Sequence, residues 1–229
     1  MIQATIEARE VSRTFTPRGG ATVEAVRGVS VAVFPGELVV VAGPSGSGKT
    51  TLLHLLAAID SPTSGEVLIE GTVVNNLTRA AQAGTRLTRL GLVFSEHNLS
   101  PALTVAENVD LPLALRGLPA AECSGRVEAA LSRLGVAQLA GRFPDALSSG
   151  EQQRVAIARA VAGGPAALIA DEPTAHLDSG AAEALLKLLQ ELVIERRMAA
   201  VVASHDPAVI SRAGRVIRLR DGALAREER

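Results

Sequence analysis

The stretch Leu38-Val39-Val40-Val41-Ala42-Gly43-Pro44-Ser45-Gly46-Ser47-Gly48-Lys49-Thr50 decides the fold. Its first five residues form a continuous apolar, largely β-branched run, which suits a strand buried on both faces. A glycine-rich loop follows, and then Leu52, Leu53, Leu55 and Leu56 at a spacing that reads as a helix. Strand, loop and helix in this order match G-x-x-x-x-G-K-[ST]. The glycines let successive backbone N–H groups turn inward without interference from a Cβ. The helix N-terminus adds its partial positive charge. The result is a cradle for phosphate, in which Lys49 reaches the β- and γ-phosphates of a nucleotide and the Thr50 hydroxyl ligates Mg2+. A glycine-rich connector with an accidental lysine is the competing reading, and the flanking strand and helix weigh against it.

On either side of this stretch the chain falls into three parts. Ile2 to Arg9 and Val23 to Phe34 read as strands, with Pro35-Gly36 as a turn. Val67 to Ile69 and Leu90 to Phe94 are further short strands. The middle is helical in pattern, at Val105 to Leu115, Glu122 to Leu134, the segment into Gly141, and Gln152 to Val161. Pro112, Gly117 and Pro119 punctuate it. From there strand and helix alternate: strand 166–170, helix 179–196, strand 199–204, a short helix, strand 214–219. Such alternation predicts a largely parallel sheet covered by helices. Arg226 to Arg229 reads as a solvated tail.

A chain of 229 residues with 47% hydrophobic content has length for one domain with a large core. The net charge of −1 gives no electrostatic case for nucleic-acid binding, and four Phe with no Trp or Tyr offer few stacking platforms for bases. Cys123 stands alone, which excludes an intramolecular disulfide and fits a reducing compartment. The N-terminus lacks the basic-then-apolar form of a signal peptide. No apolar run approaches the ~18–20 residues that span a bilayer. If the chain serves transport, another chain supplies the pore.

A second constellation narrows the class. Leu147-Ser148-Ser149-Gly150-Glu151-Gln152-Gln153-Arg154 places hydroxyls and small residues at the mouth of a helix. Exposed N–H groups there make an anion site, and simple N-capping by Ser148 satisfies the same pattern. The helix then carries Gln152, Gln153, Arg154 and Arg159 on a polar side, against Val155, Ile157 and Ala158. Leu168-Ile169-Ala170-Asp171-Glu172-Pro173 is an apolar strand delivering two adjacent carboxylates to the carboxyl edge of the sheet, where α/β proteins place ligands. Asp171 suits Mg2+, through water, and Glu172 suits the attacking water as general base. In isolation an Asp-Glu-Pro helix start explains the same residues.

These motifs together resemble the ATP-binding cassette (ABC) ATPases over essentially the whole chain, with the signature stretch at Leu147 to Gln152 and Walker B at Leu168 to Glu172. The resemblance implies an α/β fold: a P-loop NTPase (RecA-like) core of about 1–94 and 163–229 with a mostly parallel sheet, an N-terminal antiparallel β portion, and an inserted α-helical subdomain of about 95–162. It implies ATP and Mg2+ as cofactors. ATP would be held by Gly43, Pro44, Ser45, Gly46, Ser47, Gly48, Lys49, Thr50 and Thr51. Thr50, Asp171 and Ser95 would face the metal. Glu172, Lys49 and His205 would carry catalysis, with His205, in Ser204-His205-Asp206, contacting the γ-phosphate. His54, His97 and His176 have no such role.

In this family Ser148, Ser149, Gly150 and Glu151 complete the ATP site of a partner chain, and Ala175-His176-Leu177-Asp178 crosses the dimer interface. Asp178 can also cap the helix that follows. Phe15 stands where the family stacks an aromatic on adenine, and core packing competes with that role. There are two departures from the family pattern. Ser149 replaces a glycine of the signature, and Ser95 replaces the glutamine that reaches the metal, the attacking water and the permease. The implied partners are a transmembrane permease and a second nucleotide-binding subunit, in a likeness to the lipoprotein-releasing, macrolide-export and cell-division group. The implied location is the cytoplasmic face of the membrane. Two alternatives stay open. A non-transport ABC ATPase usually has two cassettes or a long coiled-coil insertion, and neither is present here. A regulatory, slowly hydrolysing ATP binder would fit Ser95 and Ser149, and the intact Lys49, Asp171, Glu172 and His205 argue against it.

Overall fold

A computed structural model describes residues 3–16, 19–175 and 177–228. The elements are β1 (Ile6–Phe15), β2 (Val23–Val33), β3 (Leu38–Ala42), α1 (Lys49–Leu56), β4 (Ser64–Ile69), β5 (Thr72–Val73), α2 (Arg79–Arg89), β6 (Leu90–Val93), α3 (Val105–Leu115), α4 (Ala120–Arg133), α5 (Ser149–Ala162), β7 (Ala167–Asp171), α6 (Ser179–Arg196), β8 (Ala199–Ser204), α7 (Pro207–Ile210), β9 (Arg215–Arg220) and β10 (Ala223–Glu228). A six-stranded sheet runs β10-β9-β3-β8-β7-β6, parallel except for β10, and a four-stranded antiparallel sheet runs β2-β1-β4-β5.

The apolar run of β3 is buried on both faces, as expected. Side chains alternate along a strand, so Val39 and Val41 join α1 and the antiparallel sheet in one apolar cluster. Val40 and Ala42 join a second cluster with α3, α4, α5 and α6. Helices α3, α4 and α5 pack on one another between β6 and β7 in sequence, and they share this second cluster with the sheet.

Several expectations shift. The first strand is Ile6–Phe15, not Ile2 to Arg9, and Ile2 lies outside the described residues. The segment into Gly141 forms only a short 3-10 turn at Ala137–Leu139. Helix α2 was not anticipated: its apolar side, Ala80, Ala83, Gly84 and Leu87, consists mostly of small residues, and the helix buries none of them. The expected tail is instead β10. An Asp221-Gly222 turn, with both residues at positive φ, closes a two-residue hairpin from β9. Charges that read as solvated pair across it: Arg215 Nε donates to Glu227 Oε1 at 2.8 Å and Arg218 Nε to Glu228 Oε1 at 2.9 Å. Arg215, 7% exposed, also donates to Ala32 O and Glu37 Oε1, tying the hairpin to both sheets.

Candidate nucleotide site

Parallel pairing aligns three strand ends. Ala42 of β3 sits beside Ser204 of β8, and Asp171 of β7 beside Ala203. Gly43, Glu172 and His205 therefore leave the sheet at one edge, where β3 and its neighbours open a crevice. The loop after β3 enters α1 through Gly48, which occupies the N-cap with φ 98. Only glycine adopts that conformation readily, and a Cβ there would collide with the carbonyl oxygen of Ala25. Ala25 is the unopposed residue of a bulge in β2, where the partners of Arg13 and Thr14 step from Val26 to Glu24. Gly222 of the β9–β10 turn donates its N–H to Ser47 O at 3.2 Å and accepts from Arg27 N at 2.8 Å, bracing the loop from below.

A cleft of about 530 Å3 results, lined by Ala25, residues 44–51, Glu172 and His205. Lys49 is 8% exposed and folds back to donate to Gly43 O at 2.8 Å and Pro44 O at 3.1 Å. Glu172 adopts φ 48, rare for a residue with a Cβ, and its N–H donates to Ala203 O at 3.0 Å. The carboxylate oxygen Oε1 lies 2.8 Å from His205 Nδ1. Asp171 is 8% exposed, and its Oδ1, like Ser47 Oγ, is buried with no hydrogen-bond partner among the described residues.

Asp171, Gly43 and the remaining candidate residues lie outside this lining, Asp171 one residue before Glu172 and Gly43 one before Pro44. Ser148 caps α5 in a capping box: its Oγ accepts from Glu151 N at 3.3 Å, and Glu151 Oε2 accepts from Ser148 N at 2.8 Å and Ser148 Oγ at 2.7 Å. These bonds hold the Glu151 carboxyl below the usual range. Ser149 and Gly150 form the first turn of α5, partly exposed. Asp178 Oδ1 caps α6 by accepting from Ala181 N at 2.9 Å. Ser95 is exposed just beyond β6. Phe15 is 40% exposed at the end of β1, so it is not a core residue. His176 lies outside the described residues. Gln153, expected on the polar side of α5, is only 3% exposed and faces the interior.

Sequence reading missed Ala25, Gly222 and Asn108. The first two act through backbone groups, which carry no side-chain signal. Asn108 is fully buried on α3. Its Oδ1 accepts from Ser100 N at 2.7 Å, and its Nδ2 donates to Ser100 O, Leu103 O and Thr104 O. With Arg159, which donates to His97 O at 2.9 Å and Asn98 O at 2.6 Å, it fixes the loop between β6 and α3.

Comparison with known proteins defines the class. The family model described as ABC transporter matches residues 26–175. An ABC transporter ATP-binding protein of Thermotoga maritima is 44% identical over 92% of this chain and 90% of its own. The lipoprotein-releasing system ATP-binding protein LolD of Ruegeria pomeroyi is 40% identical over 99% of this chain and 100% of its own. The macrolide export ATP-binding/permease protein MacB of Syntrophobacter fumaroxidans is 40% identical over 97% of this chain, which spans 31% of that protein. A solved dimer of the ATP-binding cassette MJ0796 in a post-hydrolysis state with ADP and Pi superposes with a TM-score of 0.91 at 37% identity, covering 98% of each chain. The chain belongs to the ABC transporter family. It is an ATP-binding and ATP-hydrolysing subunit of a transporter class that powers membrane permeases, and the expected α/β fold with a mostly parallel sheet is the one observed.

Proposed function

We propose that two copies of this chain sandwich two ATP molecules, each bound by the phosphate loop of one copy and the α5 entrance of the other. The observation that carries this reading is the separation within one chain. Ser148 to Glu151 form a helix entrance that does not line their own cleft, with the Ser149 and Gly150 N–H groups outside the capping box. The solved MJ0796 cassette is described as dimeric.

Within the cleft, backbone N–H groups of Gly46, Gly48 and Lys49 cradle the phosphates, and Lys49 exchanges its loop carbonyls for phosphate oxygens. Glu172 takes a proton from water as the water oxygen bonds to the γ-phosphorus. The β–γ bridging bond breaks, and the electron pair leaves with ADP. His205, held against Glu172, contacts the γ-phosphate and registers its departure. Asp171 suits Mg2+, because its buried Oδ1 has no partner and an acceptor so placed fits a hard cation. Thr50 and, in place of the family's glutamine, Ser95 complete the protein side. Among the described residues no group of three or more His, Cys, Asp or Glu could hold a metal alone, which suits an ion that takes most of its shell from phosphate and water. When bound, the ion neutralises charge on the β- and γ-phosphates.

This reading divides the chain into a nucleotide-binding core of about 1–94 and 163–229 and a helical subdomain of about 95–162. The loop from Ser95 to Pro101 and the segment before Leu147 would grip the permease. Among the described residues no helix is long and apolar enough to cross a membrane, and attachment to the cytoplasmic face through the permease follows from the reading. The type is exporter or mechanotransmission, supported by relatives named for lipoprotein release, macrolide export and pyoverdine export. The test is steady-state ATP hydrolysis by the chain alone and with the membrane protein that co-purifies with it. A severalfold change on adding the partner is expected; equal rates would contradict a coupled subunit.

A further inference from the structure

Outside the cleft, the end of β1 carries a feature that the function above does not use. The Arg13 guanidinium carbon lies 4.7 Å from the centre of the Phe15 ring. Phe15 nevertheless keeps 40% of its surface exposed. Residues i and i+2 share a face of a strand, so one face of the ring meets the cation while the rest looks outward. The cation is itself anchored. Arg13 Nε donates to Asp60 Oδ2 at 2.7 Å, and the other Asp60 oxygen accepts from Ser61 N at 2.8 Å. Asp60 follows α1, and its N–H donates to His54 O on that helix at 3.2 Å. The same loop holds the neighbouring residues of β1: Thr63 N donates to Ser12 O at 2.7 Å, and Thr14 N donates to Thr63 Oγ1 at 3.0 Å. Phe15 pairs with Val23, two residues from Ala25, whose bulge lines the cleft.

The geometry points to Arg13 as a positioning residue for the nucleobase of ATP. It holds the Phe15 ring from behind and links it, through Asp60, to the helix that carries the phosphate loop. This rests on the reading of Phe15 as the adenine platform. A guanidinium over one face of a ring fixes the ring's orientation and lowers the negative potential of the opposite face, where an electron-rich base would stack offset. Stacking discriminates weakly between bases, so Arg13 strengthens binding of purine nucleotides in general and adds nothing to binding of a bare polyphosphate.

The test is equilibrium binding of ATP, GTP and inorganic tripolyphosphate, without Mg2+, to the full chain and to Arg13→Ala, Phe15→Ala and the double variant. Arg13→Ala should weaken ATP and GTP about threefold and leave tripolyphosphate unchanged, which also reports an intact phosphate loop. In the Phe15→Ala background the Arg13 substitution should have no further effect. Arg13→Lys, which keeps the charge, should recover part of the loss. An equal loss for tripolyphosphate, or fully additive effects in the double variant, would show Arg13 acting on the fold and not through the ring. Unchanged ATP affinity in Arg13→Ala beside a weakened Phe15→Ala would overturn the positioning role alone. Unchanged ATP affinity in Phe15→Ala would overturn the platform reading and this inference with it.

Discussion

Ser95 lacks one methylene of the glutamine that the family places at that position and carries a hydroxyl in place of its carboxamide. It sits exposed beyond β6, outside the cleft lining. The shorter hydroxyl would reach the metal and the attacking water through an intervening water molecule, which orients them less firmly. Ser95→Gln should raise the rate of ATP hydrolysis by about tenfold, less than a full transition-state hydrogen-bond donor supplies, with little change in nucleotide affinity. Matched turnover and binding measurements check this, and equal or lower turnover in the variant counts against it. At this scale the sequence was most informative where the proposed mechanism uses a side chain: Lys49, Asp171, Glu172 and His205 leave or flank aligned strand ends. It was silent where a backbone group acts. Nothing in the letters Ala25 or Gly222 says that a carbonyl crowds the loop at Gly48 or that an N–H braces it at Ser47.

Helix entrances carry the next scale. Helices α3 and α5 both begin with a capping box, Thr104 with Glu107 and Ser148 with Glu151. Hydrogen bonds from Thr104, backbone first, lower the Glu107 pKa, and those from Ser148, side chain first, lower that of Glu151. A carboxylate depressed in the folded state stabilises it above the unfolded pKa, and that contribution is lost as pH falls through the folded value. Replacing Glu151 with Gln should therefore lower Tm modestly at neutral pH. The gap from the parent should close below the ordinary glutamate range, as the parent loses the same charge-assisted bonds. A gap that stays constant from neutral to acid in a thermal melt series would contradict the capping role of the carboxylate. Elements with strong periodicity were legible in the sequence, as β3, α6 and β8 show. Helix α2 was not, because its apolar side is mostly alanine and glycine with one leucine, a weak signal that the fold leaves unburied. For β10, charge masked the Asp221-Gly222 hairpin signal: Glu227 and Glu228 look solvated until their partners Arg215 and Arg218 are placed beside them.

The whole molecule is built so that one face of the six-stranded sheet carries α1 and the antiparallel sheet, and the other carries α3 to α6. The alternation of strand and helix made the mostly parallel, helix-covered sheet legible, but not which elements cover which face. The placement of α5 gives the arrangement its functional consequence. Its capped entrance lies outside the cleft of its own chain, and in the proposed sandwich a single chain therefore supplies half of each site. Slowing hydrolysis without weakening binding should make the two-chain state persist. Glu172→Gln removes the base but keeps the shape of the side chain and should slow hydrolysis by about a hundredfold. Its association state with saturating ATP and Mg2+, read by size exclusion with light scattering, is the most direct measurement. The account predicts a dimer that returns to monomer when nucleotide is removed. A chain that binds ATP and remains monomeric would contradict it.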